Sequence, residues 1–429
     1  MNVTNNPVHA PELTTQEDKI GLYGWYAIVV LTLCQTLSSL DAKLPFILVE
    51  ALKADLKLSD TQVGLITGPA FSLTYAICAL PIAKLSDRYI RTRVISLAIL
   101  AWSGLTVAGG AALGFVTFAL SRVGVAAGEA GLAPAAHSII AGYTSPTTRP
   151  KAMAIYALGT AIGSALALFL GGMISDNYGW RAALYIVGGT GVILVLLVSL
   201  TVREPVRRVD SANNSALPKG NIKALLGNAA IRNIVLGGAL MGLSSGALNA
   251  WGPAYIMRTF DMTASQTGAS FGGLVGALGI AGLLIGGFAA SWLAKTRPGN
   301  AFRMLAITFT LATVFQLASF LVKDYTLFLV LTAVSVLLVA FYFAPTYAAV
   351  QSLAHPSARS FAAAVTLFCV NGIGIASGSF LAGLFSDLLR PAFGVASLQW
   401  SLVLLTFMKP WAACHYYLAA RAMDKAQIT

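Results

Sequence analysis

The sequence predicts an all-α integral membrane protein of twelve transmembrane helices, arranged as two pseudo-symmetric six-helix bundles. Of its 429 residues, 57% are hydrophobic and only 10% are charged, and the mean hydropathy is +0.76. A soluble domain of this composition could not keep its apolar surface from water, so lipid must be the solvent. The apolar runs also form two similar sets, displaced by about 210 positions, which indicates a duplicated bundle.

Twelve apolar stretches are long enough to cross about 30 Å of hydrocarbon as helices, and six fall in each half of the chain. They lie near 23–52, 61–83, 94–113, 116–141, 151–175, 181–202, 230–257, 266–293, 303–322, 326–353, 360–386 and 395–420. The polar opening segment lacks the basic region and apolar core of a signal peptide. We therefore expect the first stretch to remain as a membrane span.

The two predicted bundles cover residues 23–203 and 228–421. Between them, residues 204–227 replace the apolar run with charged residues, Asn, Ser, Pro and Gly, which indicates a linker. Residues 1–22 and 422–429 are predicted to be tails. Two similar bundles joined by one linker can rock against each other around a site between them.

Lys and Arg gather in alternate connections between the stretches, which predicts the orientation in the membrane. The basic set contains Lys84, Arg88, Arg91, Arg93, Arg149, Lys151, Arg203, Arg207, Arg208, Lys219, Lys223, Lys295, Arg297, Arg303 and Arg359. The opposite set has only Lys53, Lys57, Arg181, Arg258, Lys323 and Arg390. Both tails are therefore predicted to be cytoplasmic. The net charge of +12 reflects this topology, and we expect no nucleic-acid partner.

The duplication can be followed residue by residue. The region around Pro45 reappears around Pro253, which aligns Asp41 with Asn249. Further pairs share one displacement: Pro134 with Pro345, Gly163 with Gly374, Gly172 with Gly383, and Ser175-Asp176 with Ser386-Asp387. Glu129 corresponds to Ala340, so the second half lacks a copy of either acid.

The loop after the second stretch carries a recognisable motif. Residues 83–93 resemble the signature between helices two and three of the major facilitator superfamily, in which Asp-Arg precedes further basic residues. That resemblance implies that Asp87, Arg88 and Arg91 form a conformational latch at a helix end, where charges can pair with the neighbouring bundle. A cluster that only sets topology is the alternative.

Three ionisable residues fall inside predicted spans, where a charge persists only if it is paired, hydrated or functional. They are Asp41 in the first span and Arg122 and Glu129 in the fourth. About two helical turns separate Arg122 from Glu129, so their side chains face the same way. We expect these three to couple transport to protons, with the proton as coupling ion and no cofactor. A static ion pair that fixes helix packing is the alternative.

A closer resemblance joins these residues. The chain looks like the spinster-like branch of the major facilitators, with a bacterial member as the nearest type. The resemblance rests on Asp41, Pro45, the run Gln62-Val63-Gly64-Leu65-Ile66, Ser86-Asp87-Arg88-Tyr89, Arg122-Val123-Gly124, Gly128-Glu129-Ala130 and Pro134. It implies a major facilitator fold, proton coupling and an amphipathic or lipid-like substrate. Where that branch commonly has Arg after the first-span Asp, this chain has Ala42 and then Lys43.

The C-terminal bundle offers aromatic and amide side chains instead of charges. The candidate substrate site combines Asp41, Arg122 and Glu129 with Asn249, Trp251, Phe341, Tyr347 and Asn371. Acidic and apolar walls together suit a substrate with a polar head and an apolar body. Aromatic residues that only pack against neighbouring helices or face lipid are the alternative.

The predicted function is proton-coupled secondary active transport by alternating access, with a substrate of lysophospholipid or sphingolipid type. A proton-coupled symporter of small organic anions such as sugar acids is the alternative, because Arg122 could clamp a carboxylate. The four histidines are scattered and the four cysteines lack disulfide or zinc spacing, so we expect neither an enzyme nor a metal site. We expect a monomer in a bacterial inner membrane.

Overall fold

The computed structural model describes residues 20–205 and 221–428, and within these two ranges the chain is helical, without a β-strand. Most of the predicted N-terminal tail and of the predicted linker therefore lies outside the described residues. The two ranges are called the N-half and the C-half below.

Ten continuous helices in the described ranges are long and apolar enough to cross a membrane. They are Leu22–Ile47, Asp60–Ser86, Arg91–Gly110, Phe115–Tyr143, Arg149–Thr201, Ala229–Phe260, Ala264–Ala294, Pro298–Leu321, Tyr325–Leu353 and Phe361–Lys425. Two short helices, Val49–Leu56 and Ile222–Gly227, lie between them. Segments of π-helix interrupt three of the long helices at Ile66–Ala70, Gly268–Gly272 and Phe368–Ile375.

Two of these helices each contain two membrane crossings. Arg149–Thr201 has 53 residues and Phe361–Lys425 has 65, against the roughly 20 that one crossing needs. Each is broken by a glycine in the left-handed region, Gly179 at φ 84° and Gly394 at φ 54°, a conformation that glycine adopts without a Cβ penalty. The described chain therefore makes twelve crossings, called spans 1 to 12, and the predicted fold class is confirmed.

Span 1 is shorter than predicted. It ends at Ile47, and residues 49–56 form a separate short helix. Leu48, Val49, Ala51 and Leu52 extend the apolar run beyond Ile47, so hydropathy alone could not find the break.

The hydrophobic cores show how the halves meet. One core belongs to the N-half alone and includes Ile28, Trp102 and Ile139, whereas another belongs to the C-half alone. A third core is shared, because Leu44 and Val63 of the N-half pack in one cluster with Trp251 of the C-half. The halves are thus joined around this shared core. We call the end of the molecule that carries Asp60, Asp176 and Asp387 the closed end, and the end that carries Arg88, Arg149 and Lys295 the basic end.

Spans 5 and 8 show that the halves separate away from the closed end. A Cβ atom at Gly268 would overlap with the Leu168 carbonyl, and one at Gly272 would lie 2.9 Å from the Leu168 Cβ. At Gly276 the nearest atom is 3.8 Å away, and at Gly279 no described atom lies within 4 Å. The two helices therefore touch at the closed end and diverge toward the basic end.

Candidate functional site

The three predicted ionisable residues come together inside the N-half. Arg122 Nη1 donates to Asp41 Oδ1 at 2.7 Å, and Arg122 Nη2 donates to the Asp41 backbone carbonyl at 3.2 Å. The Thr106 hydroxyl, from span 3, donates to the second Asp41 oxygen. Asp41 and Arg122 are 1% and 2% exposed. A buried ion pair of this kind is tolerated because each charge is hydrogen-bonded as well as paired.

Pro45 supplies part of this geometry. A proline inside a helix has no N–H to donate to the carbonyl four residues earlier. That carbonyl belongs to Asp41, and it instead accepts the hydrogen bond from Arg122. The Asp-Pro spacing in the sequence therefore prepares both a carboxylate and a backbone oxygen for one guanidinium.

Glu129 differs from Asp41 in its partners. The Ser38 hydroxyl donates to Glu129 Oε2 at 3.0 Å, whereas Oε1 is buried without a hydrogen-bond partner among the described residues. Glu129 is only 3% exposed. Its carboxyl group therefore has one oxygen open to a proton, a water molecule or a ligand. Gly128 allows this placement, because a Cβ there would lie 3.1 Å from the Trp102 backbone nitrogen of span 3.

The predicted C-half residues lie in several different places. Asn371 lies in the π-helical segment of span 11, and its Nδ2 is 3.5 Å from the Tyr347 hydroxyl. Trp251 is fully buried and its indole N–H donates to the Ser379 carbonyl at 2.8 Å. Phe341 packs so closely on span 8 that a Cβ at Gly286 would overlap with it. Asn249 is partly buried and lines a separate crevice.

Two lysines inside spans received no role in the sequence analysis. Lys409 of span 12 is 2% exposed, and its Nζ donates to the Ser335 hydroxyl at 3.1 Å and toward Gln316 Oε1 at 3.5 Å. Lys43 of span 1 lies 4.8 Å from the centre of the Phe46 ring. Each lies in a long apolar run, whose high hydropathy masks a single cation.

A cluster of charges that the sequence analysis missed joins the halves at the closed end. Asp60, 2% exposed at the start of span 2, accepts two hydrogen bonds from Arg258 at 2.9 and 2.8 Å. It also accepts from the Ser386 hydroxyl at 2.6 Å and from Lys53. Arg258 in turn donates to Glu50 at 2.8 Å. Arg258 and Ser386 belong to the C-half, so this network holds the two halves together.

The repeated Ser-Asp pairs found in the sequence also connect the halves. Asp387, at the end of span 11, accepts from the backbone N–H of Thr61 at 2.7 Å and from that of Asp60 at 3.2 Å. Asp176, at the end of span 5, accepts from the backbone N–H of Ser265 at 2.7 Å. A carboxylate at a helix N-terminus is stabilised by the unpaired N–H groups and the helix dipole. Each half therefore caps a helix of the other half.

Asp55, at the closed end, forms side-chain hydrogen bonds with described residues of the N-half only. The Asp55 carboxylate accepts from Arg181 and, at 3.1 Å, from the Trp180 indole. The Arg181 hydrogen bond, helped by that of Trp180, lowers the pKa of the Asp55 carboxyl below its usual value. This group offers a matched comparison for the acids that bridge the halves.

The predicted latch residues lie at the basic end. Arg91 donates to Glu204 Oε1 at 2.6 Å and to the Pro205 carbonyl at 2.9 Å, both within the N-half. Arg88 is exposed at the end of span 2, and the side chain of Asp87 lies outside the described residues. The C-half repeats the Arg91 arrangement, because Arg303 at the start of span 9 pairs with Asp424 at 2.5 Å.

Close backbone contacts at the closed end lead to a steric prediction. A Cβ at Gly172 would overlap with the Ala264 carbonyl of the C-half. We expect Gly172→Val to prevent closure of this end and to reduce the initial rate of transport by about tenfold or more. Gly189→Val is the control, since a Cβ there meets no described atom within 4 Å. A Gly172→Val protein that folds and transports at the control rate would contradict the prediction.

Comparison with known proteins places these features in context. Residues 31–379 match the Major Facilitator Superfamily. An MFS-type efflux pump of Mycolicibacterium smegmatis is 34% identical over 423 residues, which cover 96% of this chain and 97% of the pump. Protein spinster homolog 1 of Xenopus tropicalis is 26% identical over 386 residues, 83% of this chain and 73% of that protein. The crystal structure of a bacterial homologue of the human lysosomal transporter spinster, inward-facing and unoccupied, is 26% identical and has a TM-score of 0.85, with 94% and 98% of the two chains covered.

Proposed function

The chain belongs to the Major Facilitator Superfamily of membrane transporters, and from this premise we propose that it is a proton-coupled transporter of amphipathic, lipid-like molecules. The observation that carries the proposal is the Glu129 carboxyl group, buried beside the Asp41–Arg122 pair with one oxygen unpartnered among the described residues. Gain or loss of one proton there changes the charge of a cluster that is shielded from water. Such a change biases the balance between two arrangements of the halves.

Asp41 and Arg122 have a different role in this proposal. Because Arg122 holds both the carboxylate and the carbonyl of Asp41, the pair fixes span 1 against span 4. Glu129 then acts as the proton carrier, and the neighbouring pair sets the charge that the carrier experiences. The first crossing and the proton site therefore move as one body.

Two lines of support favour an amphipathic substrate over a small organic anion. Protein spinster homolog 1 of Xenopus tropicalis matches 83% of this chain, and a spinster homologue is among the similar structures, whereas a probable L-galactonate transporter of Escherichia coli matches 67% of this chain. The organic-anion alternative needs Arg122 as a clamp for a carboxylate, yet both of its terminal nitrogens already bind Asp41. An anion would have to displace Asp41 from a site that is 2% exposed.

We propose that the basic end is cytoplasmic, in a bacterial inner membrane, with the protein acting as a monomer. The excess of Lys and Arg at that end supports this orientation. The arrangement of spans 5 and 8, in contact at the closed end and diverging from it, then corresponds to a cavity that opens inward. The interhalf network of Asp60 and the two capping aspartates would be the gate on the outer side.

A reconstituted transport screen tests the function. Purified protein in liposomes is offered lysophosphatidylcholine, sphingosine or gluconate, with and without an imposed pH gradient. We expect movement of a lysolipid or sphingoid base that is accelerated by the gradient. Gradient-driven movement of gluconate alone would favour the organic-anion alternative, and movement that ignores the gradient would remove proton coupling.

The latch at the basic end is also a proposal, and it leads to a kinetic prediction. If Asp87 and Arg88 hold the two halves together when the basic end is closed, Asp87→Asn should favour the inward-open state. Loss of a charged contact worth about 1–3 kcal/mol would slow turnover severalfold or more without removing substrate binding. Equilibrium binding and initial rates measured on the same preparation test this. Unchanged turnover would leave the basic cluster as a topology signal.

A further inference from the structure

We propose that Lys43 heads a binding crevice between spans 5 and 8 that takes a single-chain amphiphile with an anionic head group. The inference rests on the proposed function only in treating this ligand as a transported substrate. The crevice is lined by residues of spans 1, 5, 7 and 8, and none of Asp41, Arg122 and Glu129 is among them.

The crevice has a volume of about 270 Å³ and lies between the halves. Span 1 contributes Lys43 and Phe46, span 7 contributes Asn249, and spans 5 and 8 contribute the remaining walls. Those walls are mostly apolar or very small, and they include Ala161, Ala165, Leu168, Val275, Gly276 and Gly279. The lining therefore combines one cation and one amide with a hydrocarbon-like surface.

The Lys43 ammonium group is the part of the crevice that favours an anionic ligand. Among the described residues no carboxylate lies within 4 Å of its ammonium group, which lies over the ring of Phe46. An unpaired ammonium inside a membrane span is costly, so it is expected to be hydrated or to meet an anion. A ligand anion would be the complementary partner in this crevice.

Asn249 adds a second polar contact on the opposite wall. Pro253, four residues later in span 7, has no N–H to donate to the Asn249 carbonyl. The Asn249 carbonyl therefore lacks its usual helical donor, and Asn249 itself lines the crevice. An anionic head that also carries a hydroxyl group could bind Lys43 through the anion and Asn249 through the hydroxyl.

The shape of the crevice indicates one slim chain. Its volume is below the range of about 300–1,000 Å³ typical of pockets that enclose a drug-sized ligand, so it can enclose a head group and the first part of one chain. The crevice is narrow at Gly272 and wider at Gly276 and Gly279. Ile280, at its margin, is 40% exposed. A chain can therefore extend from the polar group along span 8 toward the diverging side.

Equilibrium binding of defined probes tests the inference without any gradient. The probes are oleate and oleoyl lysophosphatidic acid, which have anionic heads, and monooleoylglycerol, which has a neutral head. Lys43→Gln is expected to weaken binding of both anionic probes by about tenfold or more and to leave the neutral glyceride unchanged. Lys323→Gln, which changes an exposed lysine in a loop, is the control.

A second variant tests the chain-binding wall. Gly279→Leu fills open space and creates no backbone clash. The variant protein should therefore fold, and it should bind all three probes more weakly. Gly189→Leu is its control, since a Cβ there also meets no described atom within 4 Å. Unchanged affinities in both Lys43→Gln and Gly279→Leu would show that the probes do not bind in this crevice. If Lys43→Gln lost as much affinity for the neutral glyceride as for the anionic probes, Lys43 would not be the head-group contact.

The outcomes separate this inference from the proposed function. If oleate binds through Lys43 but no substrate moves in response to a pH gradient, the crevice stands and proton coupling fails. If gradient-driven transport of a lysolipid is intact in both Lys43→Gln and Gly279→Leu with unaltered binding, the function stands and the crevice fails.

Discussion

Replacement of Glu129 by Gln is expected to abolish accumulation of substrate under a pH gradient, with a loss of about 100-fold or more, while substrate binding persists. Gln keeps the shape of the side chain and can still accept the hydrogen bond from Ser38, but it cannot bind and release a proton. Only the coupling step should therefore be lost.

The structural reason is the contrast between the two buried acids. Asp41 is engaged on both oxygens by Arg122 and Thr106, whereas Glu129 has a single partner and no cation within 4 Å among the described residues. A variant that keeps the volume of Glu129 leaves the Asp41–Arg122 pair intact. Folding should therefore be preserved, because the amide neither opens a cavity nor leaves a buried charge unpaired.

Two measurements on proteoliposomes decide the outcome. Gradient-driven uptake should vanish in Glu129→Gln, whereas exchange of internal for external substrate without a gradient should continue. Asp261→Asn is the control, because Asp261 is exposed in a connection at φ 50° and Asn tolerates that backbone conformation. Uptake by Glu129→Gln that matches wild type would show that this carboxylate is not the coupling site.

The sequence predicted that Asp41, Arg122 and Glu129 lie inside spans, but not which hydrogen bonds each of them makes. Hydropathy located Asp41, Arg122 and Glu129, and helical periodicity put the last two on one face. Neither could show that Pro45 frees the Asp41 carbonyl for Arg122, or that one oxygen of Glu129 stays unpartnered among the described residues. These facts depend on how span 3 and span 4 pack against span 1.

The contacts between the halves at the closed end could not be predicted from the sequence either. The Ser-Asp repeats were visible in the sequence, yet their role as caps for helices of the opposite half depends on contacts between residues such as Thr61 and Asp387. Asp60 has the sequence position of an ordinary residue in a first helical turn, since Ser59 and Gln62 form a capping box around it. Its pairing with Arg258 arises only when the two halves meet.

Replacement of Asp60 by Asn is expected to open the closed end. Asp60 accepts hydrogen bonds from Arg258 and Ser386 of the C-half, so the substitution weakens several contacts across the interface at once. Arg258 would keep Glu50, while the remaining amide cannot match a carboxylate as a partner for a guanidinium. A loss of about 2 kcal/mol would shift the population of the two states by roughly 30-fold.

Distances between spin labels measure this shift directly. Leu113 and Val395, 88% and 95% exposed, lie in the connections between spans 3 and 4 and between spans 11 and 12, one in each half. Cysteines at these positions, in a background without the native cysteines, should report longer distances in Asp60→Asn than in the parent protein.

Asp55→Asn provides the matched control for that measurement. Asp55 is an acid at the same end, but its partners Arg181 and Trp180 belong to its own half, so its loss removes no contact between the halves. We expect its distance distribution to match that of the parent. If Asp60→Asn also matches the parent, the charge network does not hold the halves together, and closure must come from the shared apolar core and the two capping aspartates. If both Asp60→Asn and Asp55→Asn lengthen the distance, the longer distance results from a loss of local stability in the N-half.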